Sequence, residues 1–152
     1  MILGTKSRYA VMAMVELAGR KAGEPVRLSE LAEAQEITQP YLEQIFSKLK
    51  QANLVTSVRG PGGGYVLSRP ADEIYVGDVV AAAEESIKMT RCDSHSKEGC
   101  MATRTRCLTH DLWEGLEKHI YDYLYAISLA DIREKKLPSN VARLFALESR
   151  SH

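Results

Sequence analysis

Between Thr5 and Ala22 the apolar residues Tyr9, Ala10, Ala13, Met14, Leu17 and Ala18 recur at the spacings of one broad helical face. Gly23 and Pro25 follow as a stop signal. A second, shorter helix is expected through SELAEAQE, with Ser29 as its N-cap, Leu31 and Ala32 inward, and Ile37 closing it. Thr38 then predicts the cap of a third helix, QPYLEQIFSKLKQA, with Pro40 in the first turn, where its missing N–H costs little. Leu42, Ile45, Phe46 and Leu49 mark the buried face of that helix. Two short β-branched or aromatic runs, Leu54 to Arg59 and Tyr65 to Leu67, flank a glycine cluster and read as a hairpin. Three helices followed by a hairpin make the pattern of a winged helix-turn-helix.

Past Pro70, IYVGDVVAAAEE predicts a short connecting helix from about Gly77. A stretch rich in Ser, Thr, Gly and charge reads as a loop. From Asp111 a long helix is expected, with Leu112, Trp113, Leu116, Ile120, Tyr123, Leu124 and Ile127 on one side. A winged domain is complete without this helix, so its apolar side is read as a dimer seam rather than as part of its own core. Ser128 is expected to cap a further turn, LADIREKK, and the tail from Pro138 is weakly patterned. The expected fold class is mainly α with a small β hairpin (α+β). On this reading residues 1–70 are expected to form a winged helix-turn-helix domain of the DNA-binding kind, and 71–110 the connecting helix and loop. Residues 111–137 form the dimerisation helix and following turn, and 138–152 the tail.

Composition changes this picture little. The 152 residues fit one domain, or a small domain with an oligomerising extension, and 45% are apolar. No run is long and apolar enough to span a bilayer, so no membrane partner is expected. The N-terminus MILGTKSRYAV carries charge inside an amphipathic pattern, unlike a cleaved signal, which points to a cytoplasmic protein. Net charge is zero, yet residues 1–70 hold nine Lys and Arg against six Glu, while residues 71–90 turn acidic. The positive excess therefore lies with the predicted helix-turn-helix.

In such a motif the second helix enters the major groove with its N-terminal residues facing base edges. Those residues are Gln39, Tyr41, Glu43 and Gln44, with Ser47, Lys48 and Lys50 further on. Gln44 is suited to adenine, Glu43 to a cytosine amine and Tyr41 to a phosphate. Thr38 and Lys6 complete the candidate DNA contacts. Arg59, directly before GPGGG, can enter a narrow minor groove. The glycines are not a phosphate-binding loop for nucleotides, because no Lys-Ser/Thr follows and the segment leads into a strand. No small-molecule substrate is implied.

All three cysteines, Cys92, Cys100 and Cys107, lie in one stretch that ends on His110. An odd count in a reducing compartment argues against a disulfide framework. Soft thiolates with an imidazole suit either an iron–sulfur cluster or zinc, although the CxxC knuckle usual for zinc is missing. A thiol enzyme built on Cys107 and His110 lacks any oxyanion motif, so the chain is read as a non-enzyme.

RYAVMAM, YLEQIFSKL, VRGPGGGY, IYVGDVV and CLTHDLW together resemble the Rrf-type family of winged-helix transcription factors. The similarity runs from about Leu3 to Lys135, and CLTH before a hydrophobic-Trp pair points to its iron–sulfur cluster regulator branch. The resemblance implies a homodimeric repressor, able also to activate, that binds palindromic double-stranded operator DNA. It implies a [2Fe–2S] cluster on Cys92, Cys100, Cys107 and His110, through which the protein senses cluster status and controls assembly genes. The gaps between these residues are seven, six and two. Only the last matches the family pattern, and the longer two bring in His95 as a rival ligand. The alternatives are a nitric-oxide- or iron-responsive relative with a different cluster such as [4Fe–4S], and a constitutive repressor with a structural Cys3His zinc site.

Overall fold

Four side chains on helix α1 (Thr5–Ala18), Ala10, Ala13, Met14 and Leu17, are buried at i, i+3, i+4 and i+7, the stripe that a 3.6-residue period places on one face. The computed structural model describes residues 4–83, 87–89, 99 and 101–137. Helix α1 ends one turn earlier than Gly23 predicts. Gly19 is its C-cap, and the guanidinium of Arg133 lies over Gly19 where a Cβ would sit.

Helix α2 (Leu28–Gln35) begins before Ser29, with extended Arg27 in the N-cap position, so Ser29 is not the cap. The reason lies in the preceding residue. Val26 is pinned by a two-way backbone bridge to Tyr65, at 3.0 and 2.8 Å, and the helix starts as soon as the chain leaves that bridge. Glu36, in the left-handed conformation, terminates α2. Helix α3 (Gln39–Gln51) follows from Thr38, which is extended as an N-cap should be but makes no side-chain capping bond. Leu42, Ile45, Phe46 and Leu49 are its buried residues, as their spacing predicts.

Strands β1 (Val55–Val58) and β2 (Gly64–Leu67) pair antiparallel, with Val55 opposite Leu67 and Val58 opposite Gly64. The hairpin packs on α3 through an edge-on contact of Tyr65 with Phe46, ring centroids 5.1 Å apart. Gly64 is a position where the wing cannot carry a side chain, as is Gly63, whose Cβ would fall 2.3 Å from the Val58 carbonyl oxygen. The φ of Gly64 is +154°, and a Cβ there would fall 2.3 Å from the Val26 carbonyl oxygen. The Val26 bridge thus ties a third segment to the edge of the two-stranded wing.

The core does not stop at residue 70. Beyond a 3₁₀ turn at Ala71–Glu73, helix α4 (Val76–Ala82) contributes Val79 to the core of α1–α3, which also takes in Ile74, Ala83 and Leu129. A second cluster of Val76, Val80, Ile87 and Ile127 receives Ile120, Tyr121 and Leu124 from helix α5 (His110–Tyr125). Ile127 therefore lies in the turn beyond α5 rather than on the helix, where its carbonyl accepts the Val76 N–H at 2.8 Å. Ser128 caps helix α6 (Leu129–Arg133) as expected. Its hydroxyl accepts the Asp131 N–H at 3.1 Å, and the Asp131 carboxylate accepts the Ser128 N–H at 2.9 Å.

Candidate nucleic-acid interface and cofactor loop

Burial of one face of α3 turns the opposite face outward. Gln39, Glu43, Gln44 and Ser47 are exposed on it and Lys48 is half-buried. Gln39 Nε2 donates to Glu43 Oε1 at 3.3 Å, one turn along, so these two side chains are presented as a pair. Tyr41 is half-buried and meets Tyr9 of α1 edge-on, centroids 5.8 Å apart, which commits its ring to packing. Lys6, exposed in the first turn of α1, joins Glu43, Gln44, Ser47 and Lys48 around one shallow depression of about 610 Å³. Thr38 is exposed at the helix entrance. Arg59 is exposed where β1 gives way to the wing turn, beside half-exposed Val58. The helix face, bordered by Lys6 and Lys48, and the wing tip with Arg59 are thus two outward-facing elements on one scaffold.

The second region surrounds the start of α5. His110 is its first residue, 4% exposed, and its backbone N–H donates to the Cys107 carbonyl at 3.0 Å. Among the described residues neither imidazole nitrogen has a hydrogen-bond partner. The nearest carboxylate oxygen, Oε1 of Glu114, is 3.9 Å from Nε2. Cys107 is half-buried, its Sγ 3.7 Å from Thr109 Oγ1. Before it the chain folds back on itself. Gly99 N–H donates to the Arg104 carbonyl and Met101 N–H to the Thr105 carbonyl, each at 3.1 Å. Cys92, Cys100 and His95 lie outside the described residues.

Three features were not anticipated. Glu117 and Tyr121, on the inner side of α5, accept the backbone N–H groups of Met89 and Ile87, each at 3.2 Å, and so hold the chain that leaves α4. Glu114 stands one helical turn from His110, a pairing that the i, i+4 spacing could have flagged. The Val26 bridge behind the wing has no local sequence signal. On its outer side α5 leaves Leu112 61%, Trp113 40% and Leu116 36% exposed, with Tyr123 and, just before the helix, fully exposed Leu108. Among the described residues no helix is long and apolar enough to cross a membrane.

The sequence profile of the Rrf2 family, described as iron-dependent transcriptional regulators, matches residues 3–135. Over 132 residues the chain is 51% identical to the HTH-type transcriptional regulator IscR of Aliivibrio salmonicida, spanning 87% of this chain and 77% of that one. The IscR of Cereibacter sphaeroides is 45% identical over 139 residues, 90% of each chain. Among solved structures, T. potens IscR superposes with a TM-score of 0.72 at 36% identity, covering 89% of this chain and 88% of that one. CymR, the global cysteine regulator of B. subtilis, gives a TM-score of 0.72 at 29% identity over 90% of this chain and 98% of its own.

Proposed function

The chain belongs to the Rrf2 family of transcriptional regulators, and from that premise we propose that it is a homodimeric regulator whose DNA reading depends on a [2Fe–2S] cluster. It is a DNA-binding transcriptional regulator and not an enzyme, as its family and relatives are. The cluster, the dimer and the operator contacts belong to the proposal.

The observation that carries the cluster is His110. A buried imidazole with both nitrogens unpartnered loses its hydration without compensation, which is costly unless a ligand supplies the missing bond. Cys107, one turn earlier and half-buried, adds a soft thiolate beside it, so the residues present fit an iron–sulfur centre. Cys92 and Cys100 supply the remaining ligands on this reading. A cluster held there would supply an iron-dependent and redox-responsive centre at the N-terminal end of α5. Glu117 and Tyr121 hold the segment at 87–89 against α5, so the chain a few residues before Cys92 is anchored on the helix that carries His110.

The dimer rests on the outer row of α5. Leu108, Leu112, Trp113, Leu116 and Tyr123 form an apolar strip that a lone chain leaves in water, and a second copy of the same helix covers it. Two copies present two α3 helices and two wings, which matches a palindromic site. Gln39, Glu43 and Gln44 then read base edges; Lys6, Thr38, Tyr41 and Lys48 reach the backbone, and Arg59 enters the minor groove.

Purification without oxygen, followed by absorbance, iron and sulfide analysis, tests the cofactor. Two irons and two sulfides per chain are expected, lost in His110→Ala. A colourless protein holding one zinc per chain after reconstitution establishes the structural-zinc reading instead.

A further inference from the structure

The start of α5 carries more ligand atoms than a cluster needs. One nitrogen of His110, one carboxylate oxygen of Asp111 and one of Glu114 lie within 4.8 Å of one another. Asp111 and Glu114 are exposed, and exposed carboxylates alone do not make a site. The second observation is the imidazole beside them, 4% exposed and unpartnered, whose Nε2 faces Glu114 Oε1 at 3.9 Å. A separation of that size is too long for a hydrogen bond. It suits two ligands on either side of a metal ion, since metal–nitrogen and metal–oxygen bonds are about 2.0–2.2 Å each.

We infer that, in the cluster-free protein, His110, Asp111 and Glu114 bind a single divalent first-row cation. One imidazole with two carboxylates is a hard-to-borderline donor set, suited to Fe(II), Mn(II) or Zn(II) and poorly suited to Cu(I). Three protein ligands leave positions for water. The partial positive charge at a helix N-terminus opposes a cation, and the two carboxylates outweigh it. On the proposed cluster reading, on which this last point rests, the two metal centres exclude each other. A neutral imidazole has one lone pair to give, because its other nitrogen carries the proton. The regulator would then meet a free ferrous ion and an assembled cluster at the same histidine.

The test uses the full-length, cluster-free protein under reducing conditions with Mn(II), an ion that does not seek thiolates. EPR titration is expected to show one saturable site per chain, and pulsed EPR one histidine nitrogen coupled to the metal. Glu114→Gln and Asp111→Asn should each weaken binding about tenfold or more, with helix content by circular dichroism unchanged. Cys107→Ser should leave the titration in place. No saturable site, no nitrogen coupling, or unaltered binding in both carboxylate variants overturns the inference. Failure of the cluster reading leaves these outcomes untouched, since the Mn(II) site uses none of the cysteines.

Discussion

Salt dependence gives the DNA proposal its most quantitative test. Lys6, Lys48 and Arg59 are the cations placed on the proposed interface, three per protomer and six in a dimer. Each phosphate neutralised contributes about −0.9 to the slope of log affinity against log salt. The wild-type slope is therefore expected near −5, a loss of about 10³-fold in affinity between 50 and 200 mM salt. Arg59→Ala removes one cation from each wing and leaves four, so the slope should fall to about −3.6 and the same salt change should cost about 150-fold. Arg59 is exposed at the wing turn, so its removal leaves the fold in place and the comparison isolates the contact. Fluorescence anisotropy with a duplex recovered by selection from a random pool measures both slopes, and circular dichroism confirms folding. A wild-type slope near −1, or an Arg59→Ala slope equal to the wild type, refutes the placement of the wing on DNA.

Leu112→Glu with Leu116→Glu places charge on the exposed row of α5 while sparing the half-buried Ile120, and light scattering should report the mass of one chain instead of two. A mass that remains dimeric removes α5 as the seam. Gly64→Ala should lower stability by about 1–3 kcal/mol, because it forces a non-glycine residue into a positive φ against the Val26 carbonyl, and a urea midpoint equal to wild type contradicts that geometry. The carboxyl of Asp131 is held below its ordinary value by the Ser128 N–H first and the Ser128 hydroxyl second. A depressed folded pKa stabilises above the unfolded value and is lost as pH falls through the folded one. Asp131→Asn should therefore lower the urea midpoint at pH 7, with the gap closing below the ordinary carboxylate range; a pH-independent gap rules out the cap as its source.

The winged domain was legible because its periodicities agree with its packing. The buried quartets of α1 and α3 sit at the spacings that the helical period requires, and Ser128 with Asp131 is a complete capping signature. The misplaced ends share one cause. Helix α2 starts at Leu28 rather than after Ser29 because a non-local bridge from Val26 to Tyr65 fixes the preceding residue, and α1 stops at Gly19, where Arg133 from the far end of the described chain lies against it. Neither partner is near in sequence, so no local signal reports it. The apolar side of α5 was visible as a set but not as two rows. Its division into Ile120, Tyr121 and Leu124 facing inward and Leu112, Trp113 and Leu116 facing outward depends on where the second cluster lies. The cysteine and histidine candidates were singled out by residue type and by resemblance. Glu114, Glu117 and Tyr121 were not, because a glutamate or tyrosine on an amphipathic helix is ordinary until its partner is known.

A cofactor at His110 influences DNA reading only if α5 is coupled to α3, and the segment that follows α5 supplies specific contacts for that coupling. The C-terminal end of α5 returns to the winged domain through paired backbone bonds, Val76 N–H to the Ile127 carbonyl at 2.8 Å and Leu129 N–H to the Ile74 carbonyl at 2.9 Å. Ile74 and Leu129 are fully buried in the same core as Leu42, Ile45 and Phe46 of α3. Close-packed cores transmit displacement rather than absorb it, so a shift of α5 reaches the reading helix through that joint. Among the described residues the N-terminal half of α5 shows no such backbone bond to the winged domain. It carries His110 at its first residue and is tied to the segment at 87–89 through Glu117 and Tyr121. On the proposed reading, ligation therefore acts at the less restrained end of a helix whose other end is fixed in the core of the reading head. That arrangement favours a change in the relative placement of the two reading heads of a dimer over a change within either one. Cluster state should alter which operators are preferred, by half-site spacing and orientation, while the base preference within each half-site stays the same.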